Sequence, residues 1–182
     1  MDSPSDKVHT YAAGGARVTA HTKSGVPGAS SLEAKGKPMS TDKEYEGRCF
    51  CGAVQVRVTG APAAMGYCHC TSCREWSASP VNAFTLWPPN AVTITRGTEQ
   101  LASYKKTENS VRKWCKHCGG HVLTDHPGFG LVDVYAAVIP TFPFSPMLHV
   151  NYGETVLHLH DGLAKQKDFP KEMGGSGVEL TE

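Results

Sequence analysis

Short runs in which apolar and polar residues alternate fill most of the chain after residue 44. Val54, Val56 and Val58 are each separated by one polar residue, and Val92 and Ile94 repeat this spacing. Alternation with a period of two is typical of a strand that buries one face. Glycine and proline separate these runs at short intervals. The sequence therefore predicts a β-rich domain built of short strands.

Further apolar runs predict the remaining elements. Residues 70–77 are expected to form a short helix, and neither an internal repeat nor a long amphipathic helix is found. The other strands are expected at residues 81–86, 92–95, 101–105, 111–114, 122–124, 132–139, 148–152 and 156–160.

The first 44 residues have a different composition, rich in Gly, Ser, Ala, Lys and Thr. Their larger aliphatic residues, Val8, Val18, Val26 and Leu32, are isolated, so little apolar burial is available to offset the entropy lost on ordering. Residues 1–44 are therefore predicted to be a disordered extension. An alternative hypothesis is that the natural protein begins at Met39 and that the residues before it are an added extension.

Length and charge narrow the classes of function. A chain of 182 residues is long enough for one domain with a good core, or for one domain and a tail. The net charge of +1 does not favour nucleic acid or a membrane surface, and no apolar run approaches the ~20 residues of a membrane span. The first residues lack the pattern of a secretory signal. Free thiols fit a reducing compartment, so a cytoplasmic location is expected.

The strongest chemical signal is the spacing of the seven cysteines. They fall into a pair, a group of three and a second pair: Cys49 and Cys51; Cys68, Cys70 and Cys73; Cys115 and Cys118. The two pairs, here called the four-sulfur group, supply the four ligands of a closed structural zinc site. The three central cysteines, here called the triplet, supply three ligands, as in a catalytic zinc site with one open position.

Two other interpretations of the cysteines remain open at this point. His69, His117 or His121 could complete the triplet, which would make both zinc sites structural. A disulfide framework is disfavoured, because the cysteine count is odd and no secretory signal is seen.

Several other polar residues are candidates for contact with a substrate. Arg74 and Glu75 follow the triplet and either face the zinc or face solvent. Asp125 and His126 follow a predicted strand and could line the site. His158 and His160 lie on one side of a predicted strand, which is ordinary for a half-exposed strand. A loose basic cluster, which could hold substrate carboxylates or simply be solvated, comprises Lys105, Lys106, Arg112, Lys113 and Lys116.

Three cysteine motifs occur in a fixed order. They are Gly47-x-Cys49-x-Cys51-Gly52, Cys68-His69-Cys70-x-x-Cys73-Arg74 and Trp114-Cys115-x-x-Cys118-Gly119. Together they resemble the glutathione-dependent formaldehyde-activating enzyme family, to which the domain of centromere protein V is similar. The segment from Asp161-Gly162-Leu163 to Phe169-Pro170 also resembles bacterial and fungal members. The resemblance covers residues 45–170, which leaves 171–182 as a C-terminal tail.

The resemblance implies a mainly β fold of several short coiled antiparallel sheets, related to methionine-R-sulfoxide reductases and stapled by two zinc sites. It implies a structural zinc on Cys49, Cys51, Cys115 and Cys118, and a catalytic zinc on the triplet. It also implies carbon–sulfur lyase activity on a small thiol adduct such as S-(hydroxymethyl)glutathione, which interconverts with glutathione and formaldehyde.

Zinc held by three thiolates has a formal charge of −1 and is a weak Lewis acid, so a fourth bound thiolate would keep much of its nucleophilicity. The sequence identifies no side chain as the general base, and zinc-bound water is a candidate for this role and for the resting fourth ligand. The alternative function is a zinc-stabilised binding module for a protein or chromatin partner, supported by the centromere protein resemblance and the basic cluster. The charge of +1 is against nucleic acid as that partner.

Overall fold

The structure, a computed structural model, describes residues 9–10 and 43–181, and its strands follow the alternating pattern of the sequence. In the described residues the elements are β1 (His9–Thr10), β2 (Glu44–Arg48), β3 (Gln55–Thr59), β4 (Ala64–Cys68), α1 (Thr71–Ser77), β5 (Asn82–Trp87), β6 (Val92–Arg96), β7 (Leu101–Thr107), β8 (Ser110–Cys115), β9 (His121–His126), β10 (Leu131–Val134), β11 (Leu148–Val150) and β12 (Ala164–Lys165). Short 3-10 turns lie at Pro89–Ala91, Thr98–Gln100, Pro127–Phe129, Ala136–Val138, Tyr152–Glu154 and Lys171–Met173.

Four strands form an antiparallel sheet in the order β1-β6-β3-β2. The alternating valines of β3, Val56 and Val58, are fully buried, and Val92 and Ile94 of β6 lie beside them. The period-two pattern therefore places one face of this sheet in the core, as predicted.

The other eight strands form a larger sheet in the order β12-β11-β4-β5-β10-β9-β8-β7. Its neighbours are antiparallel except that β11 runs parallel to both β4 and β12. The expectation of antiparallel sheets is wrong at this edge. A parallel neighbour needs a long crossover connection, and about eighty residues separate His149 from its partner Tyr67.

The main core lies between the two sheets. Its largest fully buried apolar side chains are Trp87, Leu123 and Ile139. A second, smaller apolar cluster contains Phe84, Leu86 and Val150 together with Cys68 of the triplet. The second cluster therefore brings the triplet onto one face of the larger sheet.

Three predicted strands end earlier or are absent. The strand predicted at 132–139 stops at Val134, because the chain turns through Ala136–Val138. The strand predicted at 148–152 stops at Val150, because Asn151 adopts a left-handed conformation with φ 54°. The prediction of a strand at 156–160 is wrong, since these residues pair with no strand of the described chain.

The two ends of the chain add to the sheets. His9–Thr10 pairs with Thr93 and Ile94 of β6, and the rest of the predicted disordered extension up to residue 42 lies outside the described residues. At the other end, the Leu180 N–H donates to the Lys165 carbonyl and the Lys167 N–H to the Val178 carbonyl. Residues after 170 are thus hydrogen-bonded to the domain.

Candidate functional site

The four-sulfur group is assembled from two distant segments. All four sulfur atoms lie within 4.8 Å of one another, with Cys49 and Cys51 3.7 Å apart and Cys51 and Cys115 3.9 Å apart. A disulfide would need about 2.05 Å. Sulfurs at the corners of a tetrahedron with 2.3 Å bonds to zinc are about 3.8 Å apart. The group therefore fits a four-coordinate zinc ion and could hold one.

Two tight turns aim these four sulfurs inward. Gly52 and Gly119 have positive φ of 79° and 71°, which glycine adopts without steric cost. The Val54 N–H donates to Cys49 Sγ at 3.3 Å, and the Gly120 N–H to Cys118 Sγ at 3.4 Å. Burial raises the pKa of Cys118, but hydrogen bonds from the Gly120 and Cys51 N–H groups outweigh this effect, and the pKa is lowered to about 6. The hydrogen bonds to Cys49 and Cys118 favour the thiolate form that zinc requires at these two positions.

The triplet is local in sequence and spans a strand end and a helix start. Cys68 ends β4, Cys70 is the N-cap of α1, and Cys73 lies in its first turn. Their sulfur atoms also lie within 4.8 Å of one another. In the described chain, no histidine nitrogen or carboxylate oxygen joins either sulfur group at this spacing. The triplet could thus hold a metal ion with three protein ligands.

The three histidines that could have completed the triplet lie elsewhere. His121 stacks on Trp76 with ring centroids 4.1 Å apart, and His117 is exposed. His69 is fully buried, and both of its ring nitrogens face residues outside the triplet. Its Nε2 lies 2.8 Å from His149 Nδ1, and its Nδ1 lies 2.8 Å from Thr155 Oγ1.

A chain of polar side chains continues from buried His69 to the surface at Asp161. His149 Nε2 lies 2.9 Å from an Asp161 oxygen, and Lys165 Nζ donates to the other Asp161 oxygen at 2.6 Å. Burial opposes ionisation of Asp161, but Lys165 and His149 hold its pKa well below the usual range. Burial and the neighbouring His149 lower the pKa of His69 to about 4. Since His69 stands between two cysteines of the triplet, this chain anchors the backbone that carries them.

Each sulfur of the triplet accepts a different hydrogen-bond donor. The Asn151 amide faces Cys68 Sγ at 3.5 Å, the Cys73 N–H donates to Cys70 Sγ at 3.2 Å, and Arg112 Nη2 lies 4.0 Å from Cys73 Sγ. Hydrogen bonds from the Cys68 and Cys73 thiols lower the pKa of Cys70 to about 2. These hydrogen bonds favour a negative charge on the triplet.

Arg112 is a buried cation beside the triplet. Its side chain donates to Ser72 Oγ at 2.9 Å and lies over the Trp76 ring at 5.3 Å from the centroid. Within the described residues no carboxylate forms an ion pair with it. A buried guanidinium without a carboxylate partner is costly, so an anionic neighbour stabilises it. The thiolates of the triplet supply that negative charge.

Asp133 lies on the same sheet face, two strands from Arg112. Arg112 pairs with Thr124, and Thr124 pairs with Asp133, so the three side chains project to one side. Asp133 accepts from the Thr85 N–H at 3.1 Å. Burial raises the pKa of Asp133 to about 7, although the Arg112 charge opposes the rise. The site face therefore carries a carboxyl that changes charge near neutral pH.

Apolar residues form one wall of the triplet. Leu131, Phe169 and Met173 pack against the cluster that contains Cys68, and so do Cys70 and Cys73. Phe169 and Met173 come from the segment that follows β12. The C-terminal segment is therefore part of the site.

The basic cluster proposed from the sequence is not one surface. Lys113 pairs with Asp125 at 2.7 Å, Lys105 forms an exposed ion pair with Glu108, and Arg112 is the member that reaches the triplet. Alternation along β8 explains this separation, because adjacent side chains face opposite sides of the sheet.

The other candidates from the sequence have separate roles. Arg74 donates to the His69 carbonyl at 3.0 Å and to Thr71 Oγ1 at 3.1 Å, so it supports the turn, while Glu75 is exposed. His158 is also exposed. His126 has its Nδ1 3.0 Å from the Asn109 carbonyl oxygen.

Sequence reasoning missed Asn151, Asp133, His149 and Asp161. Asp133 had a usable signal, since an acidic residue inside the apolar strand Leu131–Val134 needs an explanation. The other three lie near strand ends and in loops, where no periodicity distinguishes them.

In the described residues, no helix is both long and apolar enough to cross a membrane.

The chain is similar to known fungal proteins. It is 33% identical over 76 residues to an uncharacterized lyase of Schizosaccharomyces pombe, which covers 42% of this chain and 53% of the relative. It is 32% identical over 94 residues to a Penicillium rubens protein provisionally named glutathione-dependent formaldehyde-activating enzyme, covering 48% of this chain and 49% of the relative. A Pyrenophora teres f. teres protein with the same provisional name is 26% identical over 110 residues and covers 58% of each chain. The chain thus spans about half the length of the curated relatives it matches.

Comparison of this structure with the crystal structure of a Rhodobacter sphaeroides protein gives a TM-score of 0.46 and a sequence identity of 21%, over 53% of this chain and 89% of that one. The sequence model of the glutathione-dependent formaldehyde-activating enzyme family matches residues 44–150, which is more than half of the chain and contains all seven cysteines. The chain belongs to the glutathione-dependent formaldehyde-activating enzyme family.

Proposed function

We propose that the protein is a zinc-dependent carbon–sulfur lyase that acts on a small thiol adduct such as S-(hydroxymethyl)glutathione. Cys49, Cys51, Cys115 and Cys118 hold a structural zinc. Cys68, Cys70 and Cys73 of the triplet would hold a second, catalytic zinc, which would stabilise the substrate sulfur as a thiolate. The family and the lyase named among its relatives support this class of reaction.

The contrast between the two sulfur groups carries the proposal. The four-sulfur group has four ligands and is contacted by backbone N–H groups. The triplet has three ligands, two side-chain donors beside it and an apolar wall. Three ligands with space for a fourth are typical of a catalytic zinc site, whereas four ligands are typical of a structural one.

The triplet residues and their neighbours suit a thiol substrate. When bound, zinc stabilises the substrate sulfur as a thiolate. Arg112 places a positive charge beside Cys73, which offsets part of the excess negative charge of three thiolates and a fourth sulfur. The Asn151 amide next to Cys68 acts in the same direction. Both groups therefore favour an anionic sulfur in this position.

The reaction requires few bond changes. The hydroxyl proton of the adduct R–S–CH2–OH moves to a base, and the O–H electron pair becomes the second bond of formaldehyde. The carbon–sulfur bond breaks, and its electron pair stays on sulfur as the thiolate R–S⁻. The reverse sequence forms the adduct from the thiol and formaldehyde.

We further propose a domain over residues 45–170, of the type found in methionine-R-sulfoxide reductases, acting in the cytoplasm and without a nucleic-acid partner. The two β-sheets and the zinc-type cysteine groups support the fold. The free thiols support a reducing compartment, and the net charge of +1 does not favour nucleic acid.

The test is exchange NMR on a mixture of glutathione and formaldehyde, with zinc-loaded protein and without protein. We expect the intact protein to accelerate exchange between free thiol and adduct. Cys70→Ser should abolish the acceleration, because it removes the central sulfur of the triplet. Glu75→Gln is the matched control, since Glu75 lies on the same helix and is exposed.

Two results would contradict the lyase. One is an unchanged exchange rate with the intact protein. The other is equal acceleration by Cys70→Ser. A triplet zinc that takes a protein histidine as its fourth ligand and ignores added thiol would favour the alternative, a zinc-stabilised binding module.

A further inference from the structure

His126 lies where β9 ends, beside the wall of the triplet. Its strand partner is Leu131, which packs against the apolar cluster of the triplet. The ring of Phe129 follows it at 6.1 Å and is itself 6.1 Å from the ring of Phe169, another member of that wall. His126 thus lies next to residues that pack against the same apolar cluster as Cys70 and Cys73.

The hydrogen bond of His126 sets its tautomer. Nδ1 lies 3.0 Å from the Asn109 carbonyl oxygen, and a carbonyl only accepts, so Nδ1 carries the hydrogen. In the neutral ring Nε2 then carries the lone pair, and no residue of the described chain hydrogen-bonds it. A histidine whose Nδ1–H is fixed by a carbonyl and whose Nε2 is free is arranged to accept a proton.

The support for this ring is close-packed. Gly128 lies against the side chain of Asn109, where an added Cβ would collide with Oδ1, so the turn after His126 contacts the residue whose carbonyl binds Nδ1. Contacts that hold this turn favour a fixed ring orientation, which a positioned base needs.

We propose that His126 Nε2 is the general base that removes the hydroxyl proton of the thiol adduct held at the triplet. This inference rests on the proposed lyase function. The proton passes from the hydroxyl to Nε2, the oxygen becomes the carbonyl of formaldehyde, and the carbon–sulfur electron pair remains on sulfur. In the reverse direction the His126 imidazolium returns the proton to the formaldehyde oxygen.

Charges around His126 are consistent with this role. The charged groups that act on it are Arg112 from β8, Cys70 at the start of α1 and Asp125 on its own strand. Burial lowers the pKa of His126 and Arg112 lowers it further; the hydrogen bond to the Asn109 carbonyl, Asp125 and Cys70 oppose this shift, but the net pKa stays below the ordinary histidine value. The ring is therefore neutral at pH 7 and able to accept a proton.

The other titratable groups near the triplet are less suitable. Both ring nitrogens of His69 are occupied by His149 and Thr155. Asp133 accepts from the Thr85 N–H and lies beyond Thr124 on the sheet, toward the centre of the domain. His121 is stacked on Trp76.

The test compares three variants in the same exchange NMR experiment. His126→Asn keeps a donor that can reach the Asn109 carbonyl but has no basic nitrogen, and we expect a loss of about 10²–10⁴-fold in rate. Zinc content and thiol binding should stay at the wild-type level. His126→Ala should regain rate when imidazole is added. His158→Asn is the control, because His158 is exposed.

The pH profile gives a second readout. In the wild-type protein the rate should fall as pH drops through a pKa below the ordinary histidine value of about 6.5, because the imidazolium cannot accept a proton. In His126→Asn this limb should disappear. A structural role for His126 would lower the rate at every pH and would not respond to imidazole.

The outcomes separate this inference from the lyase proposal. If the wild-type protein and His126→Asn are equally active, His126 is not the general base, and the lyase proposal is unaffected. Loss of zinc or of thiol binding in His126→Asn also overturns it, because the residue then acts on the fold. A wild-type protein without exchange activity overturns both.

Discussion

At the scale of single residues, the neighbours of the triplet distinguish it from the four-sulfur group. Arg112 and Asn151 bring side-chain donors to Cys73 and Cys68, and both come from strands or turns far from the cysteines in sequence. Asp133 adds a buried carboxyl on the same sheet face as Arg112. The two donors, Arg112 and Asn151, explain how a thiolate site can hold further negative charge.

The first prediction concerns Asp133. Burial raises its pKa to about 7, whereas an unfolded Asp has a pKa of about 3.9. Between these values the unfolded chain loses its proton first, so the contribution of Asp133 to stability falls as pH rises from about 4 to about 7. Over this pH range, ionisation of Asp133 should reduce the free energy of unfolding by at most about 4 kcal/mol.

Urea unfolding of the zinc-loaded wild type and of Asp133→Asn at pH 5 and pH 8 measures this effect. Because asparagine does not titrate and keeps an acceptor for the Thr85 N–H, the variant should gain stability relative to wild type at pH 8. Glu75→Gln, an exposed carboxyl, serves as control. An equal pH dependence in wild type and Asp133→Asn would show that this carboxyl does not titrate in the range.

At the scale of elements, the four-sulfur group connects segments that are distant in sequence, whereas the triplet connects neighbouring ones. The four-sulfur group joins the end of β2 to the turn between β8 and β9, over sixty residues apart. The triplet joins the end of β4 to α1, which follows it directly. Closing a long loop removes more entropy from the unfolded chain than closing a short one.

The second prediction follows from this difference. Cys118→Ser should lower the melting temperature strongly, because zinc binding at a structural site is folding free energy. Cys70→Ser should lower it less, while abolishing exchange activity. Thermal unfolding of both variants at equal zinc concentration checks the order, and equal losses would contradict the division into a structural and a catalytic site.

At the scale of the whole molecule, the larger sheet assembles the site. Its strands β8, β9 and β10 bring Arg112, His126 and Asp133 to one face, and Arg112 donates a hydrogen bond to Ser72 of α1. The segment after β12 closes the other side with Phe169 and Met173. The site thus depends on contacts between parts of the chain that are distant in sequence.

The third prediction concerns metal content. The folded chain should bind two zinc ions, because the seven cysteines form one group of four and one of three. Elemental analysis of fully loaded wild type should give two, and Cys70→Ser should give fewer while retaining the ion of the four-sulfur group. A single zinc ion in fully loaded wild type is the result that this partition does not allow.

The sequence by itself determined the short strands and the grouping of the cysteines. Alternation in β3 and β6 predicted their buried faces because strand side chains have a period of two. The spacing of the cysteines predicted the two sulfur groups because turns of two or three residues place sulfurs at metal-binding distance. The helix after Cys70 was also local enough to predict.

Only the tertiary structure decided what surrounds the triplet. Arg112 is buried beside Cys73 while Lys113, its neighbour, pairs with Asp125, and the choice of face depends on strand pairing. The parallel pairing of β11 with β4 places His149 against His69, eighty residues away. Local propensity carries no information about such long-range pairs, because their energy comes from burial and hydrogen bonding in the assembled sheet.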